Sequence, residues 1–334
     1  MKNLKFKQMK KVNITIACLL FAVNMTVNAQ EFSGGTGTKT DPYVISTPEQ
    51  LDQVRNHLTA HFILANNIDL TEYLATVGAG YEQWGEQGWM PIGTNEDTFR
   101  GSLNGAGFKV TGLWLNRVDI FDVGLFGYIR FARIDNLGVE IGDRGIRGFD
   151  NVGGLVGVQD LSSIENCYAI GSVSGRSDVG GLIGEQIRGS HIKNCYSEGS
   201  VSGNLINAGG LVAHLSSNSS IENCYSSSSV SANRLVGGLV GQQVGKISNS
   251  YATGSVKGLY RVGGLSGEIQ IGSAENSFFD IQTTGQSAGA GNVSQSGIAG
   301  KTTAEMKQQN TFAGWDFANV WHIPSGEYPN LTAR

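Results

Sequence analysis

The stretch that decides the fold reads GLVGVQDLSSIENCYAIGSVSGRSDVGGLIG at residues 154–184, which is one full unit of a repeat and the start of the next. Between Gly124 and Asp280 three short sequence motifs recur, which we call the phrases of the repeat: Gly-Leu-x-Gly, Ile-x-Asn-Cys/Ser-Tyr and Ser-Val-Ser-Gly. The six Gly-Leu pairs begin at residues 124, 154, 181, 210, 238 and 264, so successive units are 30, 27, 29, 28 and 26 residues apart. A period of this length indicates structural units that stack on one another.

Each phrase is short, rich in Val, Ile and Tyr, and bounded by Gly, Ser or Asn, which is typical of strands separated by turns. The Ile and the Val of a unit are nine residues apart in all four complete copies, whereas the distance from Leu to the next Ile varies from eight to ten. We therefore predict an all-β fold, a parallel β-solenoid (β-helix) with three short strands in each of about six coils. We take the coil as right-handed, although the residues do not fix its hand.

Equivalent positions of stacked units should form columns along the solenoid axis. One column is Leu in all six units and is predicted to be core; another is Asn in all six, at positions 136, 166, 194, 223, 249 and 276. Strict alternation would place Cys beside Glu on one face of the strand. Because Asn tolerates left-handed backbone angles and stacked amides can bond one another, we prefer a bend at Asn that turns both Ile and Cys inward.

Two further columns carry open questions. The first column contains the residue after Ile and is mostly charged, which favours a solvated face over a ligand site. Its members are Asp135, Glu165, Lys193, Glu222, Ser248 and Glu275. Cys167, Cys195 and Cys224 share the other column. Export would permit disulfides, but three thiols cannot all pair and the same column accepts Ser and Leu. We predict small buried side chains there, and no metal, because no His joins them.

Residues 1–29 have a lysine-rich start, an apolar run from Ile14 to Val27 and small residues before Gln30, which predicts a secretory signal peptide cleaved near Ala29. The run is too short for a membrane span, so we expect a secreted or cell-surface protein with no span in the mature chain. Without the five lysines of this segment, 19 basic residues face 28 acidic ones, a formal charge of about −9. That balance argues against a nucleic-acid partner.

The repeats divide the chain into the signal peptide (1–29), an N-terminal cap with the first atypical coils (30–120), the repeat solenoid (121–280) and a C-terminal loop and capping segment (281–334). Small α/β elements are predicted at the first end, where Thr47 should cap a helix that begins at Pro48. Thr302 and Glu305 predict a capping box, opening a short helix to about Gln309. The aromatic tail suits a plug over the last coil, because a solenoid end exposes apolar side chains and strand edges.

The Gly-Leu-Val-Gly, Asn-Cys-Tyr and Gly-Ser-Val-Ser-Gly phrases resemble the GLUG-motif repeat family, with Ala213 in place of Gly as a departure. The segments around Asp41–Gln50 and Lys301–Leu331 are similar to those flanking such repeats in secreted proteins of Bacteroidetes. The resemblance covers nearly the whole mature chain and implies a surface or adhesin-like protein. Similar repeats also accompany metallopeptidases that cleave immunoglobulin A1. This chain has no His-Glu-x-x-His motif, so the peptidase association does not transfer, and the family offers no catalytic residues to carry over.

We expect an exported, non-catalytic repeat protein without cofactor or metal, whose stacked side chains bind an extracellular glycan or a host or surface protein by avidity. Exposed aromatic side chains commonly contact sugars. The candidate ligand-binding residues are therefore Trp84, Trp89, Trp114 and Tyr260, although a capping or packing role stays open for each.

Two alternatives remain. Parallel β-helices also carry polysaccharide lyases and hydrolases, which need carboxylates paired in one groove. The candidate acids are scattered along the sequence, and none converges with a His at a recognisable spacing; they are Glu165, Asp178, Glu185, Glu198 and Glu222. His57 and His61 form the one ligand-like His pair, where a structural role is favoured over metal. The second alternative is a purely structural spacer.

Overall fold

Four parallel sheets surround one continuous core in a computed structural model of the chain, which describes residues 31–332. The predicted signal peptide lies outside these residues. The predicted all-β parallel solenoid of about six coils is confirmed. The prediction of three strands per coil needs one correction, because each full coil of the repeat has four.

We call the four sheets faces 1 to 4. Face 1 is built from the additional strand of each coil, which precedes the Gly-Leu pair. Its strands are Asp150–Val152, Ser177–Gly180, Ile206–Gly209, Arg234–Gly237 and Tyr260–Gly263. Face 2 follows the Gly-Leu pair. Its strands are Phe126–Arg130, Val156–Asp160, Ile183–Ile187, Val212–Leu215, Val240–Gln243 and Ser266–Ile269.

Face 3 contains the Ile of the second phrase and extends through the N-terminal segment. Its nine strands are Tyr43–Ile45, His61–Leu64, Ser102–Asn104, Arg133–Asp135, Ser163–Glu165, His191–Lys193, Ser220–Glu222, Lys246–Ser248 and Ser273–Glu275. Face 4 contains the Tyr and the Ser-Val-Ser-Gly phrase. Its strands are Ile68–Asp69, Lys109–Arg117, Gly138–Gly148, Tyr168–Gly175, Tyr196–Gly203, Tyr225–Ser226, Ser229–Ser231, Tyr251–Ala252, Val256–Lys257, Ser277–Asp280 and Ile298–Lys301.

The bend at Asn is confirmed. All six Asn residues of the column have left-handed φ angles between 44° and 54°. The amide of Asn166 donates to Asn136 at 2.9 Å, that of Asn194 to Asn166 at 3.0 Å and that of Asn223 to Asn194 at 3.3 Å. The chain therefore turns a corner at each Asn, so that the Ile before it and the Cys after it both lie in the core, as do all six Leu residues of the Leu column.

Cys167, Cys195 and Cys224 are free, buried thiols, as predicted. They also make hydrogen bonds that the sequence did not suggest: the Cys195 thiol donates to the carbonyl of Lys193 at 3.1 Å and accepts the N–H of Cys167 at 3.3 Å. Ser250 makes the equivalent bond to the Ser248 carbonyl at 2.7 Å. This shared bond explains why the column accepts either Cys or Ser.

The N-terminal segment continues the stack and adds short helices. Thr47 accepts a side-chain hydrogen bond from the Gln50 N–H, so the predicted cap of the helix Pro48–Gln53 is confirmed. A 3₁₀ turn follows at Val54–Asn56, then the helix Ala79–Trp84 and a second 3₁₀ turn at Gly85–Gln87.

At the other end, Thr302 and Glu305 form the predicted capping box of the helix Thr303–Met306, and the 3₁₀ turn Gln309–Thr311 follows. The aromatic tail lies against the side of the solenoid rather than across its last coil, with its hairpin strands at Trp321–His322 and Asn330–Leu331. It packs on the outward tyrosines of face 4, because these would otherwise expose a continuous apolar column; the packed residues are Tyr225, Tyr251, Phe278, Met306, Phe312, Trp315 and Trp321. A loop that pairs Ala290 with Ser266 lies over the last coil instead.

Candidate functional site

The corner between faces 1 and 2 brings two columns of polar side chains together. The first column lies on face 1 or just before it, and its residues have left-handed φ angles of 52° to 58°. They are Asp122, Asn151, Asp178 and Asn207. Asn and Asp adopt this conformation at less cost than other side chains. Their side chains pair along the axis: Asn151 donates to Asp122 at 2.9 Å and Asn207 donates to Asp178 at 2.7 Å.

The second column is the residue that follows the last position of each Gly-Leu-x-Gly phrase. Its members stand in register on the outer side of face 2: Tyr128, Val158, Glu185, His214, Gln242 and Glu268. The glycine that ends the Gly-Leu-x-Gly phrase, directly before the residue of this column, has no side chain and so allows the two columns to approach each other. A Cβ added to Gly184 would lie 2.5 Å from the backbone carbon of Asn151, and one added to Gly157 would lie 2.5 Å from that of Asp122.

A cavity of about 620 Å³ opens where these columns meet the N-terminal segment. Ile92 pairs with Phe126 as an extra rung beside face 2, and the turn closed by Thr94 and Asp97 forms a rim. The walls of the cavity are mainly apolar. The side chains that line it include Glu96, Phe121, Asp122, Tyr128, Asn151 and Glu185. We name this region, with Asp178 and His214 along the same corner, the carboxylate groove.

The carboxyl groups of the groove influence one another. Burial raises the pKa of Asp122, the hydrogen bond from Asn151 lowers it, and the nearby negative charges of Glu185 and Glu96 raise it further, for a net increase. Burial likewise raises the pKa of Asp178, against the lowering effects of Asn207 and His214. Both groups therefore hold a proton more tightly than exposed aspartates do.

Glu185 and His214 stand on neighbouring coils, with Oε1 of Glu185 3.1 Å from Nδ1 of His214. Asp178 is close enough to interact electrostatically with both. The expectation that no acid converges with a His is thus wrong for this trio. Glu165 and Glu222 lie on face 3, where Lys193 pairs with Glu222 at 3.0 Å, and Glu198 accepts a hydrogen bond from Tyr225 on face 4.

A buried carboxylate with two arginine partners adjoins Tyr128, which lines the cavity. Asp160 is fully buried, and Arg188 Nε donates to its Oδ1 at 2.8 Å, while Arg130 lies 3.3 Å away. Tyr128 also donates to Asp160, at 3.2 Å, and accepts from Arg188 at the same distance. The two arginines are therefore engaged by Asp160 and do not line the cavity.

The predicted ligand-binding aromatics occupy different environments. Trp89 is fully buried and donates its Nε1–H to the Leu125 carbonyl at 3.1 Å, so its ring has no open face. Trp114 is also buried, with the Arg144 guanidinium 3.4 Å from its ring centre. Trp84 is half-buried under Arg55. Tyr260, 47% exposed and flanked by Arg234 and Arg261, is the most exposed of the four.

Two of these tryptophans support the groove indirectly. The Arg55 guanidinium lies over both Trp84 and Trp89 and donates to the carbonyls of Met90 and Pro91 at 2.7 and 3.2 Å. Met90 and Pro91 line the cavity, so this cluster positions the rim. Tyr260 stands on a different coil and does not join the tryptophans.

A second, smaller cavity of about 200 Å³ lies on face 4, where the aromatic tail ends. Tyr168, Tyr196, Tyr225 and Tyr251 stack with ring centres 4.8 to 5.1 Å apart, and the tail covers the last two. The cavity is lined by Tyr168, Tyr196 and amides of the Asn column, without a charged side chain.

Within residues 31–332, no group of three or more His, Cys, Asp or Glu side chains is placed to hold a metal ion. The helices of the same range are all too short or too polar to span a bilayer.

Four consecutive segments of the chain match the family described as "The GLUG motif", at residues 150–174, 175–202, 204–231 and 232–257. The chain is 31% identical to a protein of Evansella cellulosilytica named "Putative Gly-rich membrane protein", over 99% of this chain and 49% of that protein. It is 30% identical to "Halomucin" of Haloquadratum walsbyi, over 45% of this chain and 2% of that protein. The chain therefore spans about half of the first relative's length and a small part of the second's.

Two solved structures share the fold. A "putative immunoglobulin A1 protease" from Bacteroides ovatus superposes with a TM-score of 0.69 and 21% identity, over 91% of this chain and 96% of that one. A second protein, named "IgA1 Protease", gives a TM-score of 0.50 and 21% identity over 70% of this chain and 19% of that one. At this level of identity the likeness shows the fold alone.

Proposed function

We propose, on the premise that residues 150–257 are four GLUG-motif repeats, that this chain is an exported, non-catalytic surface protein that binds an extracellular glycan in the carboxylate groove. The observation that carries the proposal is the cavity of about 620 Å³. Ligand sites in proteins are concave, mostly apolar and furnished with a few polar groups. The groove has this form, and it combines apolar walls with several carboxylates, whereas the cavity on face 4 has no charged side chain.

The chemistry of the groove suits a sugar. Apolar side chains such as Phe121 can pack against the C–H face of a pyranose ring, and the oxygens of Asp122 and Glu185 can accept hydrogen bonds from its hydroxyls. A location at the cell surface is supported by the predicted signal peptide and by the relative named as a membrane protein.

The experiment is a screen of the purified protein on arrays of glycans and of extracellular matrix proteins. Phe121 and Phe131 are matched side chains, 56% and 59% exposed, but only Phe121 lines the cavity. We expect Phe121→Ala to weaken glycan binding about tenfold, the value of one well-buried aromatic contact, and Phe131→Ala to leave it unchanged. Retention of no glycan by the wild type, or equal binding by both variants, refutes the proposal; capture of a matrix protein alone favours a protein ligand.

One observation favours a second candidate, a polysaccharide-active enzyme. Burial raises the pKa of Asp178, which lies near Glu185 and His214, and hydrolases use pairs of carboxyl groups that share one groove. Turnover of a purified polysaccharide that is abolished by Asp178→Asn would support this candidate over simple binding.

A further inference from the structure

Every charged side chain that lines the cavity of the carboxylate groove is an acid. Glu96, Asp122 and Glu185 are the three, and no Lys, Arg or His within residues 31–332 lines it. Glu96 is exposed on the rim and has no ion-pair partner in the same range. The cavity therefore has a negative potential over its mouth and floor.

The basic side chains that lie nearest already have hydrogen-bond or ion-pair partners. His214 bonds Oε1 of Glu185 at 3.1 Å, which leaves Oε2 of Glu185 to the groove. Arg188 and Arg130 face Asp160, and the Tyr128 hydroxyl stands between that pair and the cavity. Asp122 uses Oδ1 to accept from Asn151 and has Oδ2 free within the described residues. Two carboxylate oxygens, one on each of two neighbouring acids of the cavity lining, thus remain available as acceptors.

Apolar walls surround these oxygens. Phe121 and Val158 line the cavity, and Tyr128 presents its ring there while burial and the negative charge of Asp160 raise the pKa of its hydroxyl. A site with acids at its centre and aromatic rings beside them attracts a cation through both ion pairing and the ring faces. An acidic sugar would instead meet like charges.

We propose that the ligand bound in the carboxylate groove carries a protonated amine, as a glycan with free amino sugars does, and that Asp122 and Glu185 select it over the neutral N-acetylated form. This inference rests on the proposed function and adds the charge of the ligand to it. Neutral sugars can still enter the groove, but they leave both carboxylates without an ionic partner.

The test uses two oligosaccharides of the same length and linkage, a β-1,4-glucosamine hexamer and its fully N-acetylated counterpart, titrated into the whole protein at slightly acidic pH. We expect the free amine to bind about tenfold more tightly, and added salt to reduce the difference because it screens the ion pairs. Glu185→Gln and Asp122→Asn keep the shapes of the side chains and should each reduce the preference about threefold.

Glu165→Gln is the matched control, since Glu165 stands on face 3 and outside the groove. Equal affinity for the two hexamers, or a preference that survives both groove variants, overturns the inference. If neither hexamer binds but the array identifies a neutral glycan lost in Phe121→Ala, the inference fails and the proposed function stands. If no glycan of any kind binds, both fail.

Discussion

The Asn column offers the sharpest test of the stacking. In Asn194→Ala, two hydrogen bonds are lost: the one that the Asn194 amide donates to Asn166 at 3.0 Å and the one that it accepts from Asn223 at 3.3 Å. The variant also places Ala at a φ of 52°. Two hydrogen bonds contribute about 2 kcal/mol, and a left-handed Ala costs about 1 kcal/mol. We expect a loss of about 3 kcal/mol in the free energy of unfolding.

Asn218 provides a matched control. It has a φ of 60°, is exposed, and makes no side-chain hydrogen bond within residues 31–332. Asn218→Ala should therefore cost only the backbone term, about 1 kcal/mol, while Asn194→Gly keeps the backbone relaxed and should cost about 2 kcal/mol.

Urea unfolding followed by circular dichroism measures all three variants. The slopes must be compared, because repeat proteins can unfold in parts. Equal losses for Asn194→Ala and Asn218→Ala would show that the amide ladder adds no stability and refute the reasoning.

Three further predictions concern single side chains. Burial raises the pKa of the Asp178 carboxyl in the folded protein above its value in the unfolded chain, so ionisation of Asp178 opposes folding. The contribution of neutral Asp178 to the free energy of unfolding is therefore complete below the pKa of the unfolded chain and is lost as pH rises through the pKa of the folded protein. Asp178→Asn should therefore raise the urea midpoint at pH 7 and not at pH 4, and a decrease at pH 7 contradicts this. Asp160→Asn removes the negative charge that Arg188 and Arg130 share. It should lower the free energy of unfolding by only about 2 kcal/mol, because both arginines keep contact with water when the charge is lost. An unchanged urea midpoint would contradict this and show that the ion pair adds no stability. Cys195→Ser keeps a hydroxyl that can donate to the Lys193 carbonyl and accept the Cys167 N–H, so it should change stability by less than about 1 kcal/mol. Cys195→Val should cost about 2 kcal/mol because it leaves the buried N–H of Cys167 unpaired, while the Lys193 carbonyl still accepts the Asn166 N–H at 3.0 Å. Equal melting of the two variants would contradict the role of the Cys195 hydrogen bond.

Much of the solenoid follows from the repeats, because a column with one residue type has one environment in every coil. The Leu, Asn and Cys columns were placed correctly on that basis, including the bend at Asn. The fourth strand was missed because segments such as Ser177–Gly180 and Ile206–Gly209 place an Asp or Asn in the left-handed conformation at their second residue. That residue removes the alternation by which a strand is recognised and makes the segment resemble a loop.

The carboxylate groove was missed for a related reason. Asp178, Glu185 and His214 differ in chemistry and are divided between two successive units, so each unit taken alone shows only scattered polar residues. Counting from the Gly-Leu pair would have found Glu185 and His214, since both follow the fourth position of the phrase. The cavity itself depends on the rim at Met90–Glu96, which belongs to no repeat and which no periodicity could place.

The tail was misplaced because the sequence does not say which apolar surface it covers. The recurring Tyr after each Asn-Cys or Asn-Ser was the available signal. These tyrosines form an outward column on face 4, and Trp315 and Trp321 pack against it.

A crystal structure of the protein with the glycan selected on the array tests the central claim most directly. We predict the sugar in the carboxylate groove, with one ring over Phe121 and a polar group between Asp122 and Glu185. Electron density for the glycan on the tyrosine column of face 4, or on any face other than this corner, would contradict the account.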